Sequence, residues 1–137
     1  MAPKASSTKQ YIIPNIQRIC VGGIYEDGFV KAQAHTFGDY YIKIDTVPPK
    51  ITPLNIKNGV TLAKSRGIFL KIGDNLSGVK SYIGKIDGNW VLMEWDYKSK
   101  ILSYIFNTDI AQGRHKFDLT VSDDKENSSH FTAEFYR

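Results

Sequence analysis

Lys116-Phe117-Asp118-Leu119-Thr120-Val121 sets polar and apolar side chains in strict turn, and that period of two decides the fold class. Successive side chains of a strand point to opposite faces, so Phe117, Leu119 and Val121 share one face and Lys116, Asp118 and Thr120 the other. An amphipathic helix would need its apolar residues three and four apart; here they are two apart. One oily and one wet face per strand is the pattern of an antiparallel sheet packed on one side.

Outward from this stretch the period repeats. Phe131, Ala133 and Phe135 alternate with His130, Thr132 and Glu134, and Ile68, Leu70, Ile72 and Leu102, Tyr104, Phe106 do the same. Residues 51–56, 79–86 and 90–95 complete seven candidate strands. Asp87-Gly88 accepts the positive φ of a tight hairpin, Asp74-Asn75-Leu76-Ser77-Gly78 makes a polar corner, and residues 96–100 form a charged reversal. Residues 108–113 are predicted as one helical turn capped by Thr108 or Asp109 and stopped by Gly113. No long amphipathic helix is visible, which argues against βαβ architectures.

Upstream, residues 1–9 are polar and small and read as a disordered leader. Tyr11-Ile12-Ile13 and residues 16–21 are short apolar runs. Val30, Ala32 and Ala34, then Tyr40, Ile42 and Ile44, alternate with polar or exposed neighbours, and Gly38 with Asp39 is predicted to join these two segments as a hairpin. Gly22-Gly23 and Glu26-Asp27-Gly28 supply other turns. In Asp45-Thr46-Val47-Pro48-Pro49 two prolines in series hold the backbone extended, so residues 46–49 read as a stiff linker. The expectation is an all-β chain: a small β unit or domain fragment over 10–45, then an immunoglobulin-like antiparallel β-sandwich of about seven strands over 50–137.

Composition narrows the function. Of 137 residues 42% are hydrophobic and 23% charged, the ordinary range of a folded domain. The net charge of +4 is spread rather than gathered into a basic stripe, which argues against nucleic-acid binding. No stretch reaches the ~18 apolar residues of a membrane helix, and the first residues lack the apolar middle of a signal peptide. That leaves a cytosolic protein or a piece of an exported one. Cys20 has no partner for an internal disulfide and reads as a small buried apolar residue, so the redox compartment stays open.

Chemistry is sparse. His35, His115 and His130 lack metal-binding spacing, and no zinc site is expected; His115 and His130 read as exposed surface residues. There is no Gly-x-Ser-x-Gly elbow or phosphate-cradling loop, so the chain reads as non-enzymatic. The best acidic grouping is Asp45, Asp74 with Asn75, and Asp123, Asp124 and Glu126. If the loops meet at one pole these oxygens suit Ca²⁺; the structural reading is that they accept backbone N–H groups and fix the turns without metal. Trp90, Trp95, Tyr97, Tyr82 and Tyr104 are candidates for an aromatic platform that binds sugar rings or peptide, or for core filling. Trp90 and Trp95 have opposite parity along one strand, which puts one of them at the surface.

Asp45-Thr46-Val47-Pro48-Pro49, Asp74-Asn75-Leu76-Ser77-Gly78-Val79-Lys80-Ser81-Tyr82, Ile86-Asp87-Gly88-Asn89-Trp90-Val91, Gly113-Arg114-His115 and Val121-Ser122-Asp123 resemble the bacterial immunoglobulin-like domains at the C-terminal end of lysostaphin-type zinc murein endopeptidases of the Gram-negative envelope. The likeness covers residues 45–137. Residues 21–29 and Thr36-Phe37-Gly38 look like the β segment preceding that domain in the same proteins. Family usage often closes the late corner with Gly-Asn where this chain has Glu126-Asn127. No zinc ligand or catalytic histidine of the peptidase domain has a matching position. The resemblance implies a non-catalytic, monomeric accessory module, exported to the periplasm or outer membrane, serving as a spacer or as a recognition unit for protein or cell wall. The alternative is a glycan-binding module using exposed aromatics.

Overall fold

The computed structural model describes the backbone of residues 10–14 and the whole of residues 20–137. Every regular element there is a strand: β1 (Gln10–Pro14), β2 (Ile24–Glu26), β3 (Phe29–Lys31) and β4 (Tyr40–Ile44), then β5 (Lys50–Pro53), β6 (Val60–Thr61), β7 (Gly67–Gly73), β8 (Val79–Ile86), β9 (Asn89–Val91), β10 (Glu94–Asp96), β11 (Ile101–Ile105), β12 (Arg114–Asp123) and β13 (Ser128–Tyr136). No helix of the described residues is long and apolar enough to cross a membrane.

One sheet has the order β5-β7-β11-β10 and the other β6-β13-β12-β8-β9. If the principal strands β5, β7, β8, β10, β11, β12 and β13 are lettered A to G, the sheets are A-B-E-D and G-F-C. That is the strand partition of an immunoglobulin constant-type sandwich. The chain is all-β, and its body is an immunoglobulin-like antiparallel β-sandwich. Ile68, Leu70 and Ile72 on β7, Leu102 and Tyr104 on β11, Phe117, Leu119 and Val121 on β12, and Ala133 and Phe135 on β13 are all buried between the sheets. Register aligns them: Leu102 lies opposite Leu70, and Phe117 opposite both Ala133 and Ile86.

Four local expectations are corrected. The strand over 90–95 is broken: the chain leaves one sheet at Val91 and joins the other at Glu94, so Trp90 and Trp95 belong to different sheets. Met93, 5% exposed, plugs into the core at the crossing, in space left open by Gly84, where a Cβ would collide with the Met93 sulfur. The strand over 51–56 ends at Pro53; beyond it the Asn55 amide side chain continues the ladder, accepting from Phe69 N at 2.8 Å and donating to Gly67 O at 2.8 Å.

Residues 108–113 form no helix. Asn107 Oδ1 takes the Asp109 amide at 3.1 Å, one residue before the expected cap, and Gly113 exchanges backbone bonds with Arg137, which draws the segment into the sheet. In the N-terminal part β3 pairs with β2 across Asp27-Gly28, while β4 pairs with β1, so the hairpin expected between residues 30–34 and 40–44 does not form. A two-residue turn with positive φ at both Asp27 and Gly28 closes a far shorter loop than Gly38-Asp39 could. The leader over 1–9 and most of the apolar run over 16–21 lie outside the described residues.

Gly67 and Gly84 generate a paired test. A Cβ at Gly67 would collide with the Tyr104 backbone carbonyl, whereas one at Gly84 meets the flexible end of Met93. Gly67→Ala is expected to destabilise by about 1–3 kcal/mol, and Gly84→Ala by less, read as shifts of the urea midpoint at constant slope.

Candidate functional site

The sandwich carries three loops to one pole. Asp45 follows β4, Asp74 follows β7, and Asp123 ends β12; each presents a carboxylate oxygen, and these oxygens lie within 4.8 Å of one another. Asp45 and Asp123 are both 0% exposed. Each carboxylate organises backbone. Asp45 accepts from the amides of Val47 (3.2 Å) and Ser77 (3.1 Å). Asp74 Oδ2 accepts from Leu76 (3.0 Å) and Gly78 (2.9 Å). Asp123 accepts from Lys125 N (2.8 Å), Asn127 N (2.9 Å) and Asn127 Nδ2 (2.7 Å). Asn75 and Asp124 are exposed outside the trio, and Asp124 faces Lys125 at 3.7 Å.

Two buried residues at this pole escaped the sequence reading. Lys125, 6% exposed, runs its ammonium to Gly23 O at 2.8 Å. Asn127, 5% exposed, donates from the same amide to Asp45 O at 3.1 Å. Both tie the N-terminal segments to the late corner of the sandwich. The available signal was Asp123-x-x-x-Asn127, the spacing of a carboxylate that caps its own turn. Glu126 sits at φ +65, the left-handed region that glycine enters freely. The Pro-Pro segment packs down as well: Pro49 is buried and its carbonyl accepts from Ser129 Oγ.

The aromatic candidates divide into two groups. Tyr82 and Trp95 point inward from opposite sheets and meet edge to face at 6.3 Å, closing the side of the core. Tyr97, 70% exposed, meets Trp95 edge to face at 5.7 Å and carries the Lys100 ammonium at 4.1 Å from its ring centre. Tyr104 is buried. Trp90, 63% exposed, stands apart at the edge of the other sheet, beside a hollow of about 380 Å³ that Asp87, Asn107, Asp109 and His115 also line.

His115 is not the exposed surface residue expected. Its side chain is 12% exposed, with Nδ1 at 2.6 Å from Asp87 Oδ2 and Nε2 at 2.8 Å from Ala111 O. Both ring nitrogens face acceptors, which only the doubly protonated ring satisfies. The hydrogen bond to Asp87 raises the imidazole pKa above the ordinary 6.5, against burial, with help from the Ala111 carbonyl. Burial pushes the Asp87 carboxyl up, but the bonds from His115 and the Lys116 amide outweigh it and hold the group below its usual range. His130 is exposed and bonds Thr120 Oγ1 at 3.0 Å, and half-buried Cys20 accepts the Gly22 amide at its sulfur.

With this geometry in place, a family model described as "Zu5-like domain" matches residues 2–45. No curated protein matches the chain in sequence. A solved structure of Clostridium thermocellum CbhA fibronectin(III)-like modules is similar at 10% identity and a TM-score of 0.49, over 99% of this chain and 80% of that one. The assignment of the body as an immunoglobulin-like module rests on its strand order.

The His115–Asp87 pair fixes a pH dependence. A raised histidine pKa contributes stability that is fully present below 6.5 and lost as pH rises through the higher folded value. The lowered Asp87 contributes above 3.8 and loses its share as pH falls through the lower folded value. The melting temperature is expected to decline on the alkaline side, and His115→Gln to flatten that decline. The loss is at most about 1 kcal/mol, below the range for a buried bond to a charged group, because Asp87 is partly solvated.

Proposed function

We propose that this chain is a non-catalytic accessory module of an exported bacterial cell-envelope protein, monomeric, set beside a murein endopeptidase domain, which it serves as a spacer. The observation that carries the reading is the buried pair Lys125 and Asn127, which joins the late corner of the sandwich to Gly23 and Asp45. A hydrogen bond from a buried ammonium is strong because no water can replace it. A segment held that way enters the sandwich at a fixed angle, as a spacer between two functional parts requires. The resemblance of residues 45–137 to envelope endopeptidase modules supports the compartment and the neighbour.

Lys125→Met keeps the aliphatic stem and deletes the ammonium. It is expected to speed amide exchange in residues 24–44 by about tenfold while exchange in β12 and β13 stays slow. Unchanged exchange would remove the spacer argument, and muropeptides released from purified sacculi by the chain itself would overturn the non-catalytic reading.

A second reading, glycan binding, is favoured by Trp90, whose exposed indole stands next to Asp87, Asn107 and Asp109. An aromatic face with nearby carboxylates and amides can stack a sugar ring and hold its hydroxyls. Murein fragments should then quench tryptophan emission in the parent and not in Trp90→Ala; a flat titration of the parent counts against this role.

A further inference from the structure

We infer that the pole formed by Asp45, Asp74 and Asp123 is a Ca²⁺ site that clamps the entry of the sandwich to its second and last corners. This goes beyond the spacer role and does not depend on what the module adjoins. The three carboxylates place oxygens within 4.8 Å of one another, and two of them are wholly shielded from solvent.

Proximity alone would be a turn motif; the state of the remaining oxygens points to a ligand. Asp74 Oδ1 is buried without a hydrogen-bond partner, and so is Ser77 Oγ, on the residue whose amide Asp45 holds. One oxygen of the converging trio is thus buried and unpaired, and the Ser77 hydroxyl, on the same corner, is unpaired as well. A buried acceptor left unpaired is costly, and buried carboxylates are paired or coordinate metal.

The nearby ammonium groups do not supply the missing charge. Lys125 reaches Gly23 O and the exposed Asp124. Lys100 lines the same hollow as Asp74 but sits over the rings of Tyr97, at 4.1 Å, and Trp95, at 5.8 Å. Among the described residues, no ion pair involves Asp45, Asp74 or Asp123.

The donor set selects the cation. Carboxylate and hydroxyl oxygens without imidazole or thiol favour a hard ion over zinc or copper. Ca²⁺ accepts six to eight oxygens in a flexible shell and tolerates several carboxylates, whereas Mg²⁺ keeps most of its waters and binds one or two. Bound here, Ca²⁺ would offset two of the trio's three negative charges and tie three chain segments at one point.

Two measurements on the full chain test this. Thermal melting is compared in EDTA, 10 mM Mg²⁺ and 10 mM Ca²⁺, for the parent and for Asp74→Asn, whose side-chain oxygen can still accept the Leu76 and Gly78 amides. The parent should gain about 5 °C or more in Ca²⁺ and clearly less in Mg²⁺, with a midpoint on the order of 10⁻⁴–10⁻³ M. Asp74→Asn should melt no lower than the parent in EDTA and need at least about tenfold more Ca²⁺ for the same gain. Terbium luminescence, sensitised by Trp95 and Tyr97 beside Asp74, should appear in the parent and be displaced by Ca²⁺. Melting insensitive to Ca²⁺, or terbium emission equal in the two proteins, overturns the site. Neither result bears on the amide exchange that tests the spacer.

Discussion

Two sheets with oily inner faces must close on each other, and that closure determines where every loop of the molecule ends up. Phe117, Leu119 and Val121 on β12 face Ile68, Leu70 and Ile72 on β7, and none of the six retains more than 1% of its surface. β5 pairs antiparallel with β7, with Lys50 opposite Gly73, so the start of β5 and the corner after β7 share one end, and the corner after β12 reaches the same pole. Asp45, Asp74 and Asp123 therefore meet because the hydrophobic effect closes the two sheets that carry them. The polar pole is a consequence of the core.

Burial sets the energetic rules at that pole. Asp123 receives three hydrogen bonds, two from backbone amides and one from Asn127, which offset much of its desolvation. Asp74 receives two on one oxygen and none on the other. The same residue type, a few ångströms apart, is fully satisfied in one loop and half satisfied in another. The corner Asp74-Asn75-Leu76-Ser77-Gly78 spends one carboxylate oxygen on its own turn and leaves the other to face the interior.

How much of this was legible in the sequence depended on the range of the interaction. Period-two alternation in residues 116–121 and 131–135 reports burial directly, because each side chain's neighbours are fixed by the pleat. The Asp87-Gly88 and Asp27-Gly28 turns were legible for a similar reason, since their backbone demands are local. The break at Leu92-Met93 was not: nothing within 90–95 signals that Gly84, on another strand, leaves room for the Met93 side chain. His115 misled in the same way, since its partners Asp87 and Ala111 come from a hairpin and a loop that only the fold brings together. Of the acidic and amide residues singled out in sequence, Asp45, Asp74 and Asp123 converge while Asn75, Asp124 and Glu126 stay outside, and the shielding of Asp45 and the burial of Lys125 are tertiary facts.

The same logic explains why charged groups divide into two kinds across the molecule. Arg114–Glu134 and Lys31–Glu26 are exposed at both partners, where water screens the attraction and either partner is replaceable at little cost. Lys125 pairs weakly with Asp124 at 3.7 Å, yet its stronger bond runs to a backbone carbonyl 102 residues away. An ammonium kept from water for the sake of a carbonyl is costly unless the contact fixes something else in place. Here it fixes Gly23, and with it the path of the N-terminal segments. Ile24, Phe29, Ile42 and Ile44 remain exposed on those segments, so they bury too little apolar surface to hold their position by packing alone. The hydrogen bonds of Lys125 and Asn127 do for this junction what Phe117 and Leu119 do for the sandwich.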